Sequence, residues 1–400
     1  MGGTHEPAGD APIGAACPAC GTSGGERFFG MKQVPVFCNV LYDEAASARA
    51  APRGDIELAH CADCSLIWNA AFVPALATYQ AGYENCLGFS PTFRRYESDL
   101  AADLSLRHTL GGKQVVEIGC GDGSFLAGLC DAGRCAGVGF DPALAGRQEI
   151  DAGLGVRLLP EPYDAQHAGL RCDLLCCRHV LEHLHRPLEF LRSLRVGLES
   201  KPGAAIFFEV PNGLWTIRDL GVWDVIYEHV AYYTPGSLRS LFERAGFVVD
   251  RLDAAYSGQF LTIEARPGRW DGSAEMQPDD ELPDLIERYA SAYNERRTHW
   301  QRELADRAAK GDGVAVWGTG SKGVTFLNAL DAAGAQVQTV VDVSPRKQGR
   351  FVPGVGLPVS PAESLRETRP GLIVVMNPVY LAEIRASVEQ LGIAADVVPV

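Results

Sequence analysis

Four cysteines near the start of this 400-residue chain stand in two pairs, Cys17-Pro-Ala-Cys20 and Cys61-Ala-Asp-Cys64, forty residues apart. Each C-x2-C pair forms a tight knuckle whose backbone N–H groups face two thiolates, and two knuckles supply the four sulfurs of a tetrahedral zinc. The set is closed, so the metal is expected to be structural. A redox C-x-x-C would open a helix in a βαβ unit, and neither pair does so. Cys38 has no partner at ligand spacing and reads as core, while His60, adjacent to Cys61, is awkwardly placed to ligate. A second set is Glu228-His229 in "YEHVAYYTPGSL", an acid beside an imidazole, which is the pairing that moves protons near neutral pH. A third is Glu117-x-Gly119-x-Gly121-x-Gly123, a turn with little side chain to keep a ligand away.

Each set needs an element to hold it. The glycine turn follows an apolar strand, Gln114 to Ile118, and leads through a helix to a second strand ending in Asp141. An acidic residue at that strand end is placed to accept hydrogen bonds from ribose hydroxyls. The pattern E-x-G-x-G-x-G resembles motif I of the class I S-adenosylmethionine-dependent methyltransferases more closely than a dinucleotide fingerprint. Glu117 suits a cationic sulfonium better than a pyrophosphate. The cofactor positions are therefore Glu117, Gly119, Gly121, Gly123 and Asp141, joined by Arg178 and His179 at the end of the next buried strand, about Asp173 to Cys177. Cys172, Cys176 and Cys177 read as small core residues. His183 follows His179 by four residues, on one helical face; that spacing suits zinc, but a third ligand is missing. Glu228-His229 falls in a loop before a helix capped by Thr234 with Pro235 at its first position, where loops often carry chemistry. A further helix begins at Ser90-Pro91 and leads into this domain.

Beyond a Gly/Pro/Asp-rich break and a long polar helix from about Pro283 to Lys310, "GVAVWGTGSKGVTFLNAL" runs strand, Gly318-x-Gly320-x-x-Gly323, helix, with Asp342 ending the next strand. Alone, this fingerprint argues for NAD. Only about ninety residues remain, enough for a small parallel sheet and short for a full dinucleotide fold.

Composition narrows the partners. Hydrophobic content of 46% with 22% charged residues describes a globular chain with cores, and a net charge of −14 argues against nucleic acid or an anionic membrane as partner. No apolar run reaches membrane-span length and the first residues lack a secretory pattern, so a cytoplasmic location is expected; the Met1-Gly2 start carries little weight for lipidation.

Together the two C-x2-C pairs, E-x-G-x-G-x-G, "LEHL", "YEHVAYYT" and "VWGTGSKGVTFLNAL" with "VDVSPRKQGRFVPGVGLPV" resemble, in that order, the three-domain sugar C-methyltransferases of antibiotic deoxysugar pathways. The resemblance covers the chain after about residue 15. It implies an α/β fold: a class I Rossmann-like methyltransferase domain at 76–270, between a zinc-binding domain at 1–75 and a small C-terminal Rossmann-like domain at 271–400. It also implies S-adenosylmethionine and structural zinc as cofactors, and a nucleotide-diphosphate ketosugar as substrate, methylated at carbon through an enolate. Carried over by position, His229 is the base or its relay, Glu228 its partner, His183 a polar contact to the sugar or enolate, and Tyr83 a hydroxyl reaching in from the linker. The family reads Y-x-E-H; here that first place is Ile226, and Tyr227, the tyrosine beside it, is taken as a further catalytic candidate. Gly318, Gly320, Lys322, Gly323, Asp342 and Lys347 would hold the nucleotide diphosphate, with Arg346 as another candidate charge. Two other functions fit parts of the pattern: an O- or N-methyltransferase of a natural-product or surface-glycan pathway, and an NAD-binding oxidoreductase or nucleotide-sensing module.

Overall fold

A computed structural model describes residues 12–14, 16–77, 83, 86–144, 150–153, 155–201, 203–268 and 279–400. The N-terminal lead-in, with its Met1-Gly2 start, and most of the break after Gly268 lie outside the described residues.

An eight-stranded sheet forms the middle of the molecule, in the spatial order Phe247–Ala255, Phe260–Pro267, Ala205–Pro211, Leu174–Arg178, Gln114–Ile118, Ala136–Phe140, Val156–Leu159 and Ile150–Gly153. The five strands from Ala205–Pro211 to Val156–Leu159 are parallel, and Phe260–Pro267 runs antiparallel to both its neighbours. Their near-continuous apolar composition is what a sheet covered by helices on both faces requires. Strand order reverses beside Gln114–Ile118, so the crevice at the carboxyl ends of this strand and Leu174–Arg178 is where a ligand is expected. This is the Rossmann-like middle domain expected from the glycine turn.

The N-terminal sheet pairs Glu26–Pro35, Arg53–His60 and Ile67–Asn69 in antiparallel order. Its fourth strand comes from far along the chain: Ala231–Tyr232, which starts two residues after His229, pairs with Ile67–Asn69. A third sheet of five parallel strands, with Val314–Trp317 at its centre, forms the small C-terminal fold. The 28-residue helix Leu282–Ala309 precedes it.

Local signals act as expected at the helix starts. Ser90 accepts from the Phe93 N–H ahead of helix Pro91–His108, and Thr234 with Ser237 forms a capping box ahead of helix Pro235–Arg244. The histidine cluster departs from expectation. His179 has φ +54°, Leu181–His183 is a single 3-10 turn, and the helix begins only at Pro187, so His179 and His183 share no helical face. Proline sets that start, since its fixed φ and missing N–H suit a first helical position.

Candidate active site

The four cysteines meet. Cys17 Sγ lies 3.6 Å from Cys64 Sγ, and Cys20 Sγ lies 3.5 Å from Cys61 Sγ. These gaps are far too long for disulfides and close to the ~3.8 Å edge of a tetrahedron built on Zn–S bonds of about 2.3 Å. The donor set therefore fits structural zinc. Cys38 stays apart, buried at 2% exposure, as core.

The glycine turn sits at the crevice. Gly119, Gly121 and Gly123 take φ of +71°, +55° and +80°. A Cβ on Gly119 would strike Val180 at 2.2 Å and one on Gly123 would strike Leu158 at 2.7 Å, whereas one on Gly121 would meet nothing within 4 Å. Two of the glycines thus serve packing, and Gly121 borders open space. Asp141 holds the turn, accepting from the N–H groups of Gly121 and Ala143 at 2.7 Å each. Glu117 is 2% exposed with Oε2 unpartnered among the described residues, and burial lifts its carboxyl to about 8. A buried carboxyl with an unsatisfied oxygen beside an open glycine cradle would ionise against a ligand that brings positive charge, as S-adenosylmethionine does.

Arg178 and His179 are engaged by protein. Arg178 donates to Glu209 at 3.0 Å and to Glu97 at 2.9 Å, with its guanidinium 3.9 Å from the Phe125 ring centroid. Tyr96 hydrogen-bonds the other oxygen of Glu209. Burial alone would raise the Glu209 carboxyl, but Arg178 and His179 hold it down near about 2. His179 Nε2 lies 3.0 Å from Glu209 and Nδ1 lies 3.6 Å from Glu182. Against the burial that would lower it, these carboxylates raise His179 to about 9, so it is an imidazolium at neutral pH. Glu97 and Tyr96 come from helix Pro91–His108, and no motif announced them.

Beside this network the His183 and His229 rings meet edge to face, centroids 4.9 Å apart. His183 Nδ1 pairs with the Glu228 carbonyl at 2.9 Å. A carbonyl only accepts, so Nδ1 is the donor of this hydrogen bond. The loop carrying His229 is pinned on both sides: Val230 N–H donates to the Glu182 carbonyl at 2.8 Å, and its own carbonyl accepts from Asn69 N–H at 2.9 Å. Burial, then the neighbouring His183, depress His229 to about 3, so it is neutral across the physiological range. Glu182, His183 and His229 bring potential ligand atoms within 4.8 Å of one another. The imidazolium of His179 already meets the charge of Glu182, which favours proton handling over metal binding.

The expectation that Glu228 orients His229 is corrected. Its Oε1 accepts from Cys38 N–H at 2.8 Å, and the Asn39 N–H and Tyr83 hydroxyl also reach this carboxylate. Burial raises the Glu228 carboxyl and the nearby His183 opposes this. Tyr83 thus lies at the Glu228 carboxylate, bridged to Val40. Tyr227 does not: its hydroxyl accepts from Val73 N–H at 2.9 Å and its ring lies against Gly54 and Phe72, so it packs the N-terminal sheet. Tyr232 is the tyrosine that reaches His229, ring centroids 6.0 Å apart, while its hydroxyl ties down both backbone groups of Ile226.

In the C-terminal fold, Gly318 has φ +113°, Gly320 borders open space, and a Cβ on Gly323 would fall 1.9 Å from the Gly318 carbonyl oxygen. Asp342 accepts from Thr319 N–H and hydroxyl and from Ser344 N–H, with Lys347 Nζ 3.7 Å away. Asp342 and Lys347 are buried and hold this turn together, so in this structure they contact protein groups. Lys322 is ion-paired with Asp224, just before the His229 loop, and Arg346 with Asp122 of the cofactor turn at 3.2 Å. These charges tie the C-terminal fold to the catalytic crevice.

Residues 92–252 match a family model described as a methyltransferase domain, and residues 274–395 match one described as a C-methyltransferase C-terminal domain. The chain is similar to the C-methyltransferase NovU of Streptomyces niveus, 28% identical over 293 residues that span 68% of each chain. It is also similar to a tRNA U34 carboxymethyltransferase of Campylobacter jejuni subsp. doylei, 25% identical over 34% of this chain and 49% of that one. Among solved structures, magnesium protoporphyrin IX methyltransferase from Synechocystis PCC 6803 aligns at 20% identity over 48% of this chain and 91% of that one, with a TM-score of 0.33.

Proposed function

The chain belongs to the S-adenosylmethionine-dependent C-methyltransferases, and from that premise we propose that it methylates the carbon next to the ketone of a nucleotide-diphosphate-linked sugar. The observation that carries the reading is the edge-to-face His183–His229 pair, in a loop pinned to the N-terminal sheet and followed by the strand that completes it. A carbon beside a ketone becomes nucleophilic only when it loses a proton, so the site needs a base and donors for the enolate oxygen.

Glu117, Gly119, Gly121 and Asp141 would hold the cofactor, which supplies an electrophilic methyl group when bound. In our reading His229 takes the α-proton, and His183 lies close enough to share it. Tyr83, whose hydroxyl bonds Glu228 and accepts from Asn39, would border the acceptor and donate to the developing enolate only by giving up its bond to Glu228. Glu228 acts as a positioning residue: it fixes the 38–40 segment and Tyr83, and its carbonyl sets the His183 tautomer. Zinc on Cys17, Cys20, Cys61 and Cys64 holds the lobe that supplies this segment. The C-terminal glycine turn, through Gly318, Gly320 and Gly323, would take the phosphates.

Deuterium wash-in tests the reading. With a ketosugar nucleotide and S-adenosylhomocysteine, the wild type should exchange the α-proton. His229→Ala should lose exchange and ~10²–10⁴-fold in kcat, the usual worth of a general base. Methyl transfer to a hydroxyl without any exchange at carbon would overturn it.

A further inference from the structure

Asn39 comes from the zinc-bearing lobe yet ends beside the catalytic groups. It is only 4% exposed. Its Nδ2 donates to the Tyr83 hydroxyl at 3.2 Å, while its Oδ1 has no partner among the described residues. The backbone around it is fully used: Cys38 N–H and Asn39 N–H both serve Glu228, and Val40 forms a bridge with Tyr83. The carboxamide thus has one polar end committed and the other buried without a partner among the described residues. Exchanging the oxygen and nitrogen ends leaves the same arithmetic, since Tyr83 satisfies one end only. Folded proteins rarely leave such a group buried and unsatisfied unless something binds it.

We propose that Asn39 is a substrate-recognition residue, whose open carboxamide end hydrogen-bonds a ring hydroxyl of the acceptor sugar next to the reacting carbon. A hydroxyl donates and accepts, so it satisfies either end of the amide. The placement fits that role, because Asn39 touches Tyr83, which reaches Glu228, whose carbonyl holds His183. The zinc lobe then reads the substrate as well as bracing the site. This inference rests on the ketosugar reading above.

The experiment compares nucleoside-diphosphate 4-keto-6-deoxyhexoses that differ by replacement of a single ring hydroxyl with hydrogen. For wild type, Asn39→Ala and Asn39→Asp, kcat/KM is measured on each sugar, with S-adenosylhomocysteine affinity and Tm alongside. Wild type should prefer the sugar with one particular hydroxyl by ~10²-fold or more, as sites that hydrogen-bond a substrate hydroxyl do. Asn39→Ala should lose that preference, falling on the hydroxylated sugar while changing little on its deoxy partner, with cofactor affinity unmoved. Asn39→Asp keeps an acceptor in place and should keep the preference.

Equal losses on both sugars would mean that a buried water or the fold alone satisfies the amide, and the inference fails. Loss of the preference in Asn39→Asp also counts against it. Wild type that binds S-adenosylhomocysteine yet neither exchanges nor methylates any ketosugar overturns the acceptor reading and the inference with it. Wild type that methylates them while Asn39→Ala stays equally selective overturns the inference alone.

Discussion

His179 and His229 lie in one crevice and are driven in opposite directions. His229 is depressed to about 3 by burial and by His183, so between that value and the ordinary 6.5 the unfolded chain binds a proton that the folded one refuses. Its neutral form therefore loses stability relative to the unfolded chain as pH falls from 6.5 toward 3. His179 is raised to about 9 by Glu182 and Glu209 despite its burial, so its contribution is present below 6.5 and is lost as pH rises through 9. In Tm measured against pH, His229→Gln should flatten the acid side of the wild-type profile and His179→Gln the alkaline side. Identical profiles for the two variants would show that the crevice does not split the two imidazoles. The adjacency of Glu228 and His229 was plain in the sequence, but it named the wrong partner. Neighbours in the chain need not share a side, and the Glu228 carboxylate turns to Cys38, 190 residues away. Tyr227 misled in the same way, because a tyrosine beside a catalytic motif looks alike whether its hydroxyl meets a substrate or the Val73 backbone.

The cofactor turn shows what an element adds to a motif. All three glycines need positive φ, yet only Gly121 faces open space. Gly121→Ala should cost about 1–2 kcal/mol of stability from its left-handed backbone and lower S-adenosylhomocysteine affinity by ~10-fold or more through the filled cradle. Gly119→Ala adds a 2.2 Å clash with Val180 and should lower Tm further. Differential scanning fluorimetry and calorimetry separate the two effects; equal affinity losses at matched stability would contradict the distinction. Helix starts were legible because capping is local: Ser90, Thr234 and the prolines after them suffice. The 179–183 segment was not, since a four-residue histidine spacing is compatible with a helix and with the strand-end turn that Pro187 actually leaves in place.

At the scale of the molecule, the N-terminal lobe is wedged between the other two modules. Phe29 packs edge-on against Tyr289 of the long helix, centroids 5.2 Å apart, while Cys17 and Trp68 share a core with Ile118 and Tyr233 of the methyltransferase module. Ala231–Tyr232 completes the lobe's sheet. Loss of the zinc we propose on Cys17, Cys20, Cys61 and Cys64 should therefore act at a distance. Cys61→Ser should abolish the metal found by mass spectrometry and lower kcat/KM by ~100-fold or more, because the 38–40 segment loses its frame, while S-adenosylhomocysteine affinity changes less than ~3-fold. A metal-free variant with full activity would refute that coupling. The chain alone determined the cysteine ligand set, the strand–glycine–helix turn, the capped helices and the presence of a second, smaller glycine-turn fold, because each depends on residue types a few positions apart. Only tertiary structure decided which carboxylate meets which imidazole, that Asp342 and Lys347 serve each other, and that Asn39 meets Tyr83. Those contacts join segments hundreds of residues apart, and their energies come from burial and charge pairing that no local spacing encodes.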